Sequence, residues 1–110
     1  MVERRATRAD LLRRAIAFLG VGERCTVLTA DVAEVADDMP RAFDVVTARS
    51  FADVATSTRA IDALLAPGGV GLVSEPPMER TQEWSTALAG HSSLIDDGVH
   101  QGVRRILRVP

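Results

Sequence analysis

FDVVTARSF at residues 43–51 and LLAPGGVGLVSEPP at residues 64–77 decide how this chain folds. Each is a short apolar run that ends in a turn. Phe43, Val45 and Val46 are strand-like, and Ala48, Arg49 and Ser50 leave the apolar run. Pro67-Gly68-Gly69 is a strong turn signal, VGLVS at 70–74 is a second strand, and Pro76-Pro77 breaks the chain after it. Between the two runs Asp53 stands at the N-cap of a helix expected over about 54–65, with Val54, Ile61, Leu64 and Leu65 on its apolar face. A strand, a crossover helix and a second strand imply parallel pairing. In open sheets of this kind ligands bind beyond the carboxyl ends of the strands. Arg49 falls at such an end. It either serves a site or is a solvated cation at the sheet edge.

Working outward, residues 4–19 read as a helix. Leu12, Ile16 and Leu19 form its apolar stripe, widened by Leu11, Ala15 and Phe18, and Gly20 is its stop. Residues 24–29 read as a short strand, and Asp31 caps a brief helix through about Ala36. Residues 79–89 read as a weaker helix carrying Trp84. The apolar pair Leu94–Ile95, a turn at Asp97-Gly98 and a run over Val103–Val109 predict a closing hairpin. The expected fold is therefore α/β: a partial Rossmann-like sheet, mostly parallel, with a C-terminal antiparallel hairpin.

Composition narrows the function classes. The chain has 110 residues, which predicts one domain, and 46% of them are hydrophobic, which excludes a disordered segment. The net charge of −2 gives no global basic excess to signal nucleic acid. All thirteen cations are Arg, with a local balance of +3 over residues 1–14 and a second cluster at Arg104, Arg105 and Arg108. Those clusters either contact phosphates or form solvated faces, the commoner case. The single Cys25 makes no internal disulfide, which fits a reducing cytoplasm and a small buried hydrophobe. No apolar run is long enough for a membrane span. His91 and His100 have no Cys or acidic partner at metal-ligand spacing, so both are expected at the surface and no metal site is expected. Ser74-Glu75 lacks the context of a catalytic triad.

Residues 2–31, VERRATRADLLRRAIAFLGVGERCTVLTAD, resemble the start of the second unit of a class I S-adenosylmethionine-dependent methyltransferase. FDVVTARSF with LLAPGGVGLVSEPP is closer still to the 16S rRNA (guanine-N7) methyltransferases, also called the glucose-inhibited division protein B family. The resemblance covers about residues 2–76 and is lost after Pro77. It implies the strand order 3-2-1-4-5-7-6, S-adenosyl-L-methionine as cofactor, and RNA (16S rRNA) as methyl acceptor. It also implies roles. Glu3 at the end of the second strand would accept hydrogen bonds from the cofactor's ribose hydroxyls, for which an acceptor-only carboxylate is suited. Ala30 and Asp31 would lie against the adenine. Arg49, with Ser50, would border the methionine end of the cofactor or the guanine, and is the candidate catalytic residue. Phe51 would either stack on a base or pack in the core. The residues alone equally allow an exposed terminal Glu3 and an Asp31 that only caps a helix.

A Rossmann unit carries a Gly-rich loop about 20 residues before its acidic ribose ligand. With Glu3 as that ligand the loop would precede Met1, so the resemblance implies an N-terminally incomplete domain. The isolated chain is then expected to hold cofactor weakly or not at all. It would re-pair its strands, form a homodimer, or accept a partner supplying the missing N-terminal strands. The alternative function, from another class, is a non-catalytic α/β interaction or oligomerisation module derived from a methyltransferase.

Overall fold

The computed structural model describes residues 1–49 and 53–110, which form two compact units, Met1–Asp38 and Met39–Pro110. The first unit contains helices α1 (Ala6–Leu19) and α2 (Val32–Asp38). Helix α1 stops where expected. Gly20 is left-handed with φ 69°, and it and Val21 donate back to Ala17 and Ile16. The strand expected at 24–29 is not a strand. It contracts to one parallel bridge between Val2 and Leu28, because its pairing partner among the described residues is only the stretch 1–3. The apolar stripe of α1 also divides. Ala9 is fully buried and Leu12 and Ile16 are half-buried, but Leu11, Ala15, Phe18 and Leu19 are exposed, Phe18 to 91%. Arg13 lies on neither a phosphate surface nor a free face. It donates to Thr29 Oγ1 at 2.7 Å and to the Val27 carbonyl, tying α1 to the bridge segment.

The second unit is a four-stranded sheet with two helices. Its elements are β1 (Phe43–Ala48), α3 (Val54–Leu64), β2 (Leu65–Ser74), α4 (Thr81–Leu88), β3 (Leu94–His100) and β4 (Val103–Arg108). The strand order is β1-β2-β4-β3, with β1 parallel to β2 and the other pairs antiparallel. This is the order 4-5-7-6 that closes the expected arrangement. Asp53 caps α3 by accepting from the Thr56 N–H at 2.7 Å. Pro67-Gly68-Gly69 is not a turn ahead of the strand but an irregularity inside β2, between the pairs Phe43↔Leu65 and Val45↔Val70. A Cβ on Gly69 would lie 2.8 Å from Leu65 Cδ1 and 2.9 Å from the Ala66 and Asp44 carbonyl oxygens, so only glycine fits there. The hairpin turn is displaced as well. It is made by Gln101-Gly102, both with positive φ as a type I′ turn requires, whereas Asp97-Gly98 forms a bulge within β3.

Both helices of this unit pack on one face of its sheet. There Val54 and Ile61 of α3 and Trp84 of α4 meet Leu65, Val73, Leu94 and Ile106, with Val46 and Ala48 of β1 against them. Pairing in register carries the other face across all four strands as an apolar row, Val45–Val70–Leu107–Ile95. Its end members Val45 and Ile95 are 54% and 48% exposed.

Candidate functional site

Three of the four candidate residues stand together in the first unit. The Glu3 N–H donates to the Leu28 carbonyl at 3.0 Å, and the Glu3 carbonyl accepts from the Ala30 N–H at 3.2 Å. The bridge therefore sets Glu3 beside Ala30 and Asp31. Glu3 Oε1 accepts from the Arg5 N–H at 3.0 Å, which turns the carboxylate back over the start of α1. Asp31 Oδ1 accepts from the Ala33 N–H at 3.3 Å, and its carbonyl accepts from Glu34 and Val35. The capping role of Asp31 is therefore present. Each carboxylate keeps a second oxygen with no hydrogen bond among the described residues, free to accept from a donor.

Arg49 belongs to the second unit. It follows β1 directly and is exposed. Ser50 and Phe51, the neighbours assigned with it from sequence, lie outside the described residues. The first turn of α3 and helix α4 line a shallow groove of about 380 Å³. Val54, Ala55 and Ala87 form its apolar lining, and Asp53 and Glu83 are its carboxylates. Hydrogen bonding to the Thr56 N–H holds the Asp53 carboxyl below its ordinary range, so it is anionic at neutral pH.

The residue that sequence reasoning passed over is Glu75, just beyond the end of β2. Its side chain is fully buried. Oε2 accepts from the Arg80 N–H at 2.9 Å, and Oε1 accepts from Arg80 Nη2 at 3.0 Å and from the Trp84 indole at 2.9 Å. Arg104 approaches Oε2 at 3.5 Å, binds Asp96 at 2.6 Å and Thr81 at 3.1 Å, and lies 5.8 Å from the Trp84 ring centroid. Burial alone would raise the Glu75 pKa, but the Arg80 N–H, the Trp84 indole and the Arg80 guanidinium outweigh it and hold it low. The cluster fixes the turn 76–80 and the start of α4 against the end of β2. Every polar contact it makes is internal, so it shapes the site rather than reacting in it.

The C-terminal arginines are corrected by the same packing. Arg104 and Arg108 are neither a phosphate surface nor a solvated face, since both are almost fully buried. Arg108 donates to the Asp62 carboxylate and carbonyl, and His91 Nδ1 lies 3.2 Å from the other Asp62 oxygen. His91 is thus half-buried beside an acidic partner that linear spacing could not reveal. Arg105 points the other way and pairs with Asp97 on the exposed face. The alternation of β4 was the available signal, because Arg104, Ile106 and Arg108 share one face of a strand. Among the described residues no group of three or more His, Cys, Asp or Glu is placed to hold a metal, and no helix is long and apolar enough to cross a membrane.

Solved structures match the whole chain at low identity. A methyltransferase from Geobacter sulfurreducens superposes with a TM-score of 0.72 at 16% identity, covering 100% of this chain and 57% of its own. A protein from Clostridium thermocellum assigned as an rRNA-methylase gives 0.71 at 13%, covering 99% and 71%. A protein from Corynebacterium glutamicum gives 0.68 at 13%, covering 99% and 59%. No family model and no curated protein sequence matches. The chain therefore shares its fold with these structures, and it spans 57% of the length of the Geobacter protein and 59% of that of the Corynebacterium protein.

Proposed function

We propose that this chain is the cofactor- and acceptor-facing part of an S-adenosylmethionine-dependent methyltransferase, of the rRNA guanine-N7 type. The observation that carries the reading is the pairing of Glu3 with Ala30 across the Val2–Leu28 bridge, which sets two half-open carboxylates at the end of a parallel pair. In this reading Glu3 takes a ribose hydroxyl, Ala30 and Asp31 border the adenine, and Arg49 contacts the acceptor. A guanidinium at a strand end suits a phosphate or the plane of a base. When bound, the cofactor supplies a methyl group already activated on sulfonium. Methyl transfer from it to a guanine N7 would require no proton to be removed, so the task of these residues would be to hold and orient the two reactants. The rRNA acceptor rests on the resemblance of residues 43–77 and agrees with the assignment of the Clostridium thermocellum neighbour.

Isothermal titration with S-adenosylmethionine tests the cofactor assignment. Saturable binding by this chain, alone or with a partner that brings a glycine loop, is expected, with at least a tenfold loss in Glu3→Ala. No heat at millimolar cofactor under both conditions would remove the assignment. The exposed apolar row of the sheet and the outer stripe of α1 favour a second reading, an interaction module of methyltransferase fold. In that case Glu3→Ala changes nothing while association persists.

A further inference from the structure

The groove between the first turn of α3 and helix α4 pairs an apolar wall with hydrogen-bonding side chains. Val54, Ala55 and Ala87 are the wall, and Asp53, Gln82 and Glu83 are among its polar residues. Its volume of about 380 Å³ stands at the lower end of the range that holds small ligands. Among the described residues no cation lines it, so a phosphate has no counter-charge there. The groove instead offers acceptors. Asp53 is kept anionic and commits Oδ1 to the Thr56 N–H. Exposed Glu83, in the first turn of α4, makes no hydrogen bond or ion pair among the described residues, so both its oxygens are available. One carboxylate with both oxygens open accepts two parallel N–H bonds, and a primary amide such as that of Gln82 donates.

We propose that this groove takes the acceptor base, a guanine held by its Watson–Crick edge, with Glu83 and Gln82 as the specificity-determining residues. The inference rests on the guanine-N7 reading above and gives the base a place in the chain. N1–H and the 2-amino group of guanine form the parallel donor pair that suits Glu83, and O6 beside them suits the Gln82 amide. Adenine carries an acceptor at N1, which a carboxylate repels. The apolar wall takes the plane of the ring, as in sites that grip an unstacked base by that edge. Held so, N7 stands on the five-membered ring, away from the gripped N1 and 2-amino group, with its lone pair uncommitted.

Amide chemical shifts of the isotope-labelled chain, followed as guanosine is added to about 10 mM, test the proposal at the millimolar affinity expected of a single base. Saturable shifts confined to residues 53–56 and 82–87 are expected. Inosine, which lacks the 2-amino group, is expected to bind about tenfold more weakly, and adenosine to give no saturable shift. Glu83→Gln, at an exposed position, is expected to weaken guanosine binding about tenfold with an unchanged far-UV circular dichroism spectrum. No shift at the highest concentration, equal binding of adenosine, or an unchanged affinity in Glu83→Gln would overturn the inference. So would equal shifts from spermidine, which mark simple charge attraction. Cofactor binding with no guanosine response removes this inference and leaves the methyltransferase reading. Guanosine binding with no cofactor binding does the opposite.

Discussion

Glu75 is a single buried carboxylate on which the second unit depends. It gathers a backbone amide, an indole and two guanidinium groups, so its removal takes the counter-charge from half-buried Arg80 and one of two carboxylates from buried Arg104, which keeps Asp96. Breaking a buried pair from one side costs about 3–5 kcal/mol, a large share of the 5–15 kcal/mol that holds a domain of this size. Glu75→Ala is therefore expected to lower the urea midpoint of the second unit sharply, and an unchanged midpoint would refute the arrangement. Glu75 was illegible in sequence because its partners lie five, nine and twenty-nine positions away and are brought together only by the packing of α4 and β4. Asp53 was legible, because an N-cap reads its own helix three residues on. Glu3 and Asp31 were singled out only through a family pattern. The structure adds that one oxygen of each is already committed to its own chain.

At the scale of elements, local chemistry was readable and pairing was not. The helix after Asp53 and the strand at 43–48 follow from capping and from a compact apolar run, and both lie where expected. The hairpin turn went to Gln101-Gly102 rather than Asp97-Gly98, because the register between β3 and β4 is set by Leu94, Ile106 and Arg104 turning inward. The Pro-Gly-Gly segment misled for a related reason. It bends β2 without ending it, since Leu65 still pairs with Phe43. Gly69→Ala is expected to cost about 1–3 kcal/mol, because the new methyl meets backbone oxygens that cannot move alone. Gly71→Ala should cost less, since its nearest neighbour is the Ile61 side chain at 3.3 Å. Chemical denaturation of the pair checks the order. An equal cost would mean that the bulge can relax.

For the whole molecule, stability should follow two carboxylates. Glu75 and Asp62 both have folded pKa values below the ordinary 4.5 and 3.8. In each, burial pulls upward and is overcome, at Glu75 by Arg80 and Trp84 and at Asp62 by Arg108 and His91. A depressed carboxylate contributes stability that is complete above its unfolded pKa and is lost as pH falls through the folded value. The thermal midpoint of the second unit is thus expected to be flat above about pH 6 and to fall progressively below about pH 4.5. The decline should be shallower in Asp62→Asn, once its lower starting stability is allowed for. An acid-insensitive midpoint would contradict both ion-pair clusters. The strand order 4-5-7-6 was legible only through the resemblance of residues 43–77, because order among strands is a property of long-range contacts. The alternation of β4 placed Arg104 and Arg108 on one face with Ile106, but that this face is the buried one follows only from long-range packing.

Trp84 is the only tryptophan of a chain that has no tyrosine, and it is fully buried with its indole N–H held by Glu75. Its fluorescence is therefore a reporter of the second unit alone. Loss of packing around α4 should shift the emission to the red, whereas melting of α1, the longest helix, should leave it unchanged and appear in the far-ultraviolet dichroism. Recording both signals in one thermal scan would separate the two units of this small chain without a label.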